Sequence, residues 1–213
     1  ESGMNLQPRH NLAPTQPAPV VRMGERGSKE LALLQWGLVP SWAKEVSIGA
    51  KMINARSETV AEKPAFRAPY RRRRCLVPAD GFYEWKTEGG SKQPYRVVRR
   101  DRAPFAFAGL WEVWEGTGEG SWLETFTIVT TEANTAIRHI HHRMPVMLFT
   151  PASFKTWMQA EPKEAAPLMA PCAPDLIEAY PVDKRIGNVR NDDPSLLDPV
   201  TPPAPKPTQG SLF

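Results

Sequence analysis

The sequence predicts an α+β domain whose core is mostly antiparallel sheet. Three observations carry the prediction: β-forming apolar runs follow one another rather than alternating with helices, turns rich in Gly and Pro separate them, and helical spacing is confined to short stretches. At 213 residues the chain is long enough to bury one core without disulfides or metals. The expected organisation is a domain over residues 1–200 and a disordered tail over residues 201–213.

Residues 8–19 hold Pro8, Pro14, Pro17 and Pro19, which bias their predecessors away from helix, so this segment reads as extended or turning chain. Val20-Val21-Arg22 reads as a strand, Gly24 to Gly27 as a turn, and Leu31 to Pro40 as a second apolar run stopped by Gly and Pro; together they make a hairpin. Between Ser57 and Arg74 a helix is expected to start near Ser57 and Thr59, to break at Pro64 and to resume at Phe66-Arg67. Cys75 to Pro78 leads into a strand over Gly81 to Lys86, a turn at Glu88-Gly89-Gly90 and a strand over Pro94 to Val98. Phe105 to Trp114 and Glu124 to Thr131 repeat the pattern across a turn from Gly116 to Gly120. A short helix over Ala133 to His139, strand at Met144 to Leu148, and a helix over Pro151 to Met158 with Pro near its first position come next. Asp175 to Val182 and Gly187 to Asn191 follow as strand and loop. Beyond Thr201, the prolines 202, 203, 205 and 207 stand without apolar neighbours and describe a tail with little to bury.

With 27 Lys and Arg against 23 Asp and Glu, the net charge of +4 favours anionic partners without requiring nucleic acid. No run of about 18 apolar residues is present to span a bilayer, so no membrane partner is expected. Cys75 and Cys172 lie far apart with no C-x-x-C spacing, and the first residues show no secretory pattern; both point to a reducing, cytoplasmic setting. P-loop, G-x-S-x-G, H-E-x-x-H and dinucleotide fingerprints are absent, and no cofactor is expected. The chemistry-bearing stretch is Ile53 to Trp85, with Asn54, Arg56, Glu58 and Glu84, together with the imidazoles of His139, His141 and His142; these are the parts of a general acid–base site. The spacing H-x-H-H without a nearby thiolate matches no standard zinc site. The run Arg71 to Arg74 reads either as a solvated helix end or as a phosphate contact, and Trp36, Trp42, Phe82, Tyr83 and Trp85 read either as core or as base-stacking surfaces. Spacing alone names no reaction.

Six segments in order, His10 to Thr15, Trp36 to Trp42, Ile53 to Thr59, Ala79 to Trp85, Ile140 to Pro145 and Gly187 to Asn191, resemble the SOS-response-associated peptidase family of abasic-site processing, or crosslinking, proteins. The resemblance implies a single α+β domain, barrel-like in its β core, that opens into a basic channel for single-stranded DNA. It implies an N-terminal Cys whose amine and thiol close a thiazolidine on the aldehyde of an abasic site, in the DNA-damage (SOS) response. Carried over residue by residue, Asn54 holds the crosslink, Glu84 lies beside the terminal amine, and His141 moves protons at the sugar. Arg56, Trp42, Arg143 and Arg74 are the implied DNA contacts. The family begins Met-Cys-Gly-Arg where this chain begins Glu1-Ser2-Gly3-Met4, so the nucleophile is not among these residues, and neither Cys75 nor Cys172 falls at its position. Two other functions stay open: non-covalent single-strand binding, and a thiol autopeptidase. Gln209-Gly210-Ser211-Leu212-Phe213 resembles the Gln-x-Ser-Leu-Phe peptides that bind the bacterial sliding clamp, with Gln209, Leu212 and Phe213 as anchors.

Overall fold

The computed structural model describes residues 5–24, 27–116 and 122–201. Its strands are β1 (Pro17–Met23), β2 (Lys29–Trp36), β3 (Asn54–Arg56), β4 (Arg74–Ala79), β5 (Phe82–Glu88), β6 (Ser91–Arg99), β7 (Phe105–Glu115), β8 (Trp122–Glu132), β9 (Arg143–Pro145), β10 (Met147–Leu148) and β11 (Ile177–Pro181). Helix enters as α1 (Arg67–Arg72), α2 (Pro151–Gln159) and α3 (Pro162–Ala165), with short 3-10 turns elsewhere. The larger sheet closes on itself. β1 pairs antiparallel with β2 and β4, β4 with β7, and β7 with β8, while β8 returns to β2 through the parallel pairs Gln35–Thr125 and Trp36–Phe126. This five-stranded barrel carries β3, β9 and β10 as additions, and β11, β6 and β5 form a separate antiparallel sheet.

Side chains alternate along a strand, and here both faces are apolar, which places a core on each side of the barrel wall. Inside lie Cys75 and Val77 of β4, Phe105 and Phe107 of β7, and Phe126 and Ile128 of β8. Outside, Leu76, Ala106, Ala108, Leu110 and Val129 from the same strands pack with Ala55, Val60, Tyr70 and Trp157. Trp157, on α2, is fully buried and donates from Nε1 to the carbonyl of Cys75 at 2.9 Å, so its polar edge is satisfied where its ring is dry. Pro151 opens α2, as the sequence predicts, and Thr150 and Ser153 cap it reciprocally.

Of two predicted helices, one forms only where it is expected to resume after Pro64, and the other does not form. Residues 57–66 run as successive turns, and only the six residues of α1 are helical. Residues 135–140 are turns as well. There the Oδ1 of Asn134 accepts from the backbone N–H of Ala136, a local bond that competes with helix, while Ile137 and Ile140 are drawn into the barrel core. The hairpins at 17–36 and 82–99 form as expected. Among the described residues no helix is long and apolar enough to cross a membrane. Gln209, Leu212 and Phe213, with the tail from 202 onward, lie outside the described residues.

Candidate functional site

The site gathers at the C-terminal end of β8. Short β3 lies against one side of it, with Asn54 opposite Ile128 and Arg56 opposite Thr130, and β9 lies against the other, with Arg143 opposite Glu132. Ala55 is fully buried in the outer core, so the alternation of the strand turns Asn54 and Arg56 out to solvent. Arg56 has no ion pair among the described residues.

Glu84 comes from the other sheet. On β5 it shares a face with Phe82, whose ring meets Phe107 edge-on at 5.8 Å, and that contact draws this face onto the barrel. Tyr83 points the other way, beside Val182, Ile186 and Leu196. Glu84 is thereby largely enclosed, and its Oε2 lies 3.6 Å from Nδ1 of His141. Burial raises its carboxyl from the usual 4.5 to about 7, against the opposing pull of His141. A carboxyl poised there both gives and takes a proton at neutral pH. His141 is held by its loop, its N–H bonding the carbonyl of Ile137 at 3.1 Å, and its Nδ1 faces both the carbonyl of Arg143 at 3.0 Å and the N–H of Arg143 at 3.2 Å. His139 and His142 are exposed, and no group of three or more His, Cys, Asp or Glu among the described residues is arranged to hold a metal ion.

The four implied DNA contacts separate. Arg56 and Trp42 are exposed, Trp42 at the tip of the loop after β2. That loop is anchored where Gly37, at φ 125°, passes Gly49 so closely that a Cβ would come within 2.6 Å of the Gly49 carbonyl oxygen. Trp114 Nε1 also binds the carbonyl of Ala43 in the loop. Arg143 is already engaged: its two terminal nitrogens meet Glu58 Oε1 at 2.5 Å and Oε2 at 3.0 Å, and one also reaches the Thr130 carbonyl at 2.7 Å. Arg74 corrects the sequence expectation. It is 6 % exposed, and its guanidinium donates to the carbonyls of Tyr70, Trp157 and Ala160, where it joins α1, α2 and the barrel wall. A phosphate has no access to it. Only the first three residues of the run Arg71 to Arg74 belong to the less buried part of the structure.

Sequence reasoning missed a clamp on the N-terminal segment. The buried Asn11 amide donates to the carbonyls of Ile186, Asn188 and Asn191 at 3.0 to 3.2 Å, and Asp192 accepts from the backbone N–H groups of His10 and Asn11 and from Arg9. Tyr83 OH donates to the carbonyl of His10 at 2.7 Å, which brings this segment to the strand carrying Glu84. The signal was the pairing of two Asn-containing segments at opposite ends of the chain, whose partnership spacing alone does not disclose. Neither cysteine is an activated thiol. Burial raises Cys75 far above the thiol range and Cys172 to about 11.

A closed five-stranded barrel thus carries the Glu84–His141 pair at its end, with an exposed Asn-x-Arg strand beside it. The chain matches the SOS response associated peptidase (SRAP) family over residues 1–189 and belongs to it. It is 44 % identical over 198 residues to abasic site processing protein YoaM of Bacillus subtilis (strain 168), covering 90 % of this chain and 85 % of that one. It is 32 % identical to abasic site processing protein HMCES of Gallus gallus, covering 94 % of this chain and 68 % of that one. A crystal structure of a protein from Bacteroides thetaiotaomicron superposes with a TM-score of 0.79 at 30 % identity, covering 88 % of this chain and 82 % of that one.

Proposed function

We propose that this protein processes abasic sites in single-stranded DNA and captures them covalently through a cysteine at a mature amino terminus. The observation that carries the reading is the Glu84–His141 pair, 3.6 Å apart with the carboxyl raised to about 7, beside the exposed Asn54 and Arg56. In the ring-opened sugar, the unprotonated amine attacks the aldehyde carbon. The resulting carbinolamine loses water as Glu84 or His141 gives a proton to the departing hydroxyl, leaving a C=N bond. Thiol sulfur then adds to that carbon while its proton passes to nitrogen, closing the thiazolidine. Each step shifts one proton, which suits two groups able to alternate as acid and base. Asn54 holds the adduct by its amide, Arg56 holds a flanking phosphate, and Trp42 offers a base-stacking face. Hydrolase or lyase activity would use the same proton-handling pair.

Cys75 and Cys172 are unsuited to replace the terminal nucleophile, so the 213-residue chain is expected to bind abasic single-stranded DNA without bonding to it, while a form bearing an N-terminal Cys crosslinks. Denaturing gels read this directly. An SDS-resistant band from the 213-residue chain, or none from the cysteine-bearing form, overturns it. Arg56→Ala is expected to weaken binding about equally for all sequences and to reduce the salt slope by about one counterion. Unchanged binding with a lowered melting temperature makes Arg56 structural instead.

For the tail the proposal is a sliding-clamp contact through Gln209, Leu212 and Phe213, tethered to the domain by the proline-rich sequence before them. Fluorescence anisotropy of a labelled 201–213 peptide with purified bacterial clamp tests it against a Leu212→Ala, Phe213→Ala control, and equal binding of both peptides removes the contact. The setting is the DNA-containing cytoplasm.

A further inference from the structure

We infer that Glu58 is a positioning residue which, through Arg143, fixes the His141 imidazole; the inference rests on the reading that His141 moves protons. The Nδ1 of His141 faces two main-chain groups of one residue, the Arg143 N–H at 3.2 Å and the Arg143 carbonyl at 3.0 Å. A bare Nδ1 accepts from the first and a protonated Nδ1 donates to the second. The same residue thus serves both protonation states, provided its backbone stays in place while the proton comes and goes.

The β8–β9 ladder holds that backbone on one side, with the Ala133 N–H on the His142 carbonyl at 3.0 Å, and the Arg143 side chain ties it down from the other. Parallel β3 delivers the chain to Thr130 at Arg56, Ser57 continues the ladder with its N–H on the Thr130 carbonyl at 2.8 Å, and Glu58 arrives level with the end of β8. Antiparallel β9 starts there from the other side, at Arg143 opposite Glu132. The carboxylate and guanidinium therefore meet across the end of β8 as a two-pronged pair, and the Thr130 carbonyl takes a further bond from the same guanidinium nitrogen. Arg143 Nε is buried with no partner among the described residues, so the terminal nitrogens are all that hold the group. Glu58 is half exposed where Arg143 is mostly covered, 52 % against 17 %. Removing the carboxylate therefore takes away both of its bonds to Arg143 and leaves the guanidinium only Thr130, through one nitrogen, without opening the core. A neutral role as one more surface ion pair predicts no change at the imidazole, and a role as an internal anion occupying a phosphate site predicts tighter DNA binding when Glu58 is removed.

The test is the long-range 1H–15N spectrum of the His141 ring in the 15N-labelled 213-residue chain, without DNA. Wild type is expected to show Nδ1 and Nε2 as two well-separated signals. In Glu58→Ala they converge toward the average of exchanging tautomers, and in Glu58→Gln, which keeps one acceptor for Arg143, they move part of the way. Arg102→Ala, which breaks a remote pair with Glu178, is the control and leaves the ring unmoved. If the His141 signals in a folded Glu58→Ala or Glu58→Gln chain stay at the wild-type positions, the positioning role is wrong; an accompanying gain in affinity for single-stranded DNA would assign the pair to anion competition. In a chain bearing an N-terminal Cys, the same substitution is expected to slow crosslinking about 10- to 100-fold with DNA affinity unchanged. Absence of crosslinking in that wild-type form counts against the proposed reaction, while the ring spectrum still decides the role of Glu58.

Discussion

Glu84 faces His141 directly and Glu58 is linked to it only through Arg143, and the two carboxyls differ in every consequence of where they sit. Glu58 stands half in solvent with a guanidinium locked across both its oxygens, and that bond lowers its carboxyl to about 2. Glu84 is enclosed on the barrel face of β5 beside an imidazole and the Trp85 backbone N–H, and burial, the larger effect, lifts it to about 7. One carboxyl is held as an anion and the other is pushed toward neutrality. Burial and partner, rather than residue type, set one carboxyl low and the other high.

The comparison breaks hardest at Glu84. Glu84→Gln keeps the size and the polar edge but removes the titrating proton, so crosslinking by a cysteine-bearing form is expected to fall by about 10²- to 10⁴-fold, as for loss of a general acid–base group. Binding to undamaged single strands stays near wild type. A loss of binding equal to the loss of rate would make Glu84 a contact residue instead.

The second effect is on stability and has a definite sign. A carboxyl whose folded value lies near 7 against an ordinary 4.5 favours the native state below 4.5, and that contribution is lost as pH rises through about 7. Wild type should therefore lose stability relative to Glu84→Gln between pH 4.5 and 7, by on the order of 1–3 kcal/mol. Thermal melts of the two proteins across that window measure the gap, and a gap independent of pH would mean that the carboxyl is not raised.

The same physics explains what the sequence disclosed and what it hid. Most of the strand runs, the three hairpins and α2 were legible because apolar runs, turn residues and a proline at a helix start are local signals. Barrel closure was not legible from those signals, since it depends on two parallel pairs between residues about ninety positions apart. Arg56 and Arg74 entered as like candidates, and only the fold separates them: Arg56 follows the fully buried Ala55 and faces out, while Arg74 begins the barrel wall and spends its guanidinium on three carbonyls. Asn54, Glu84 and His141 were reached through family resemblance. The fold brings Glu84 and His141 within 3.6 Å and sets Asn54 on the neighbouring ladder. Glu58 stands in the same segment, but its pairing stays hidden there, because a Glu beside an Arg in sequence does not announce a partner 85 residues away.

The smallest effect sharpens the comparison most, because its sign is opposite. A carboxyl lowered to about 2 stabilises the fold above its ordinary 4.5, and the contribution is lost as pH falls through about 2. Solvent screens half-exposed Glu58, so Glu58→Gln is expected to cost below about 1 kcal/mol near neutrality. The gap between Glu58→Gln and wild type should then close as pH falls from 4.5 toward 2, while the gap for Glu84→Gln opens as pH rises from 4.5 to 7. Salt separates them again: exposed pairs weaken with ionic strength and an enclosed carboxyl does so much less. Melts of the three proteins at low and high salt check both trends. If both gaps move the same way with pH, the two carboxyls share one environment and the division of roles between them fails.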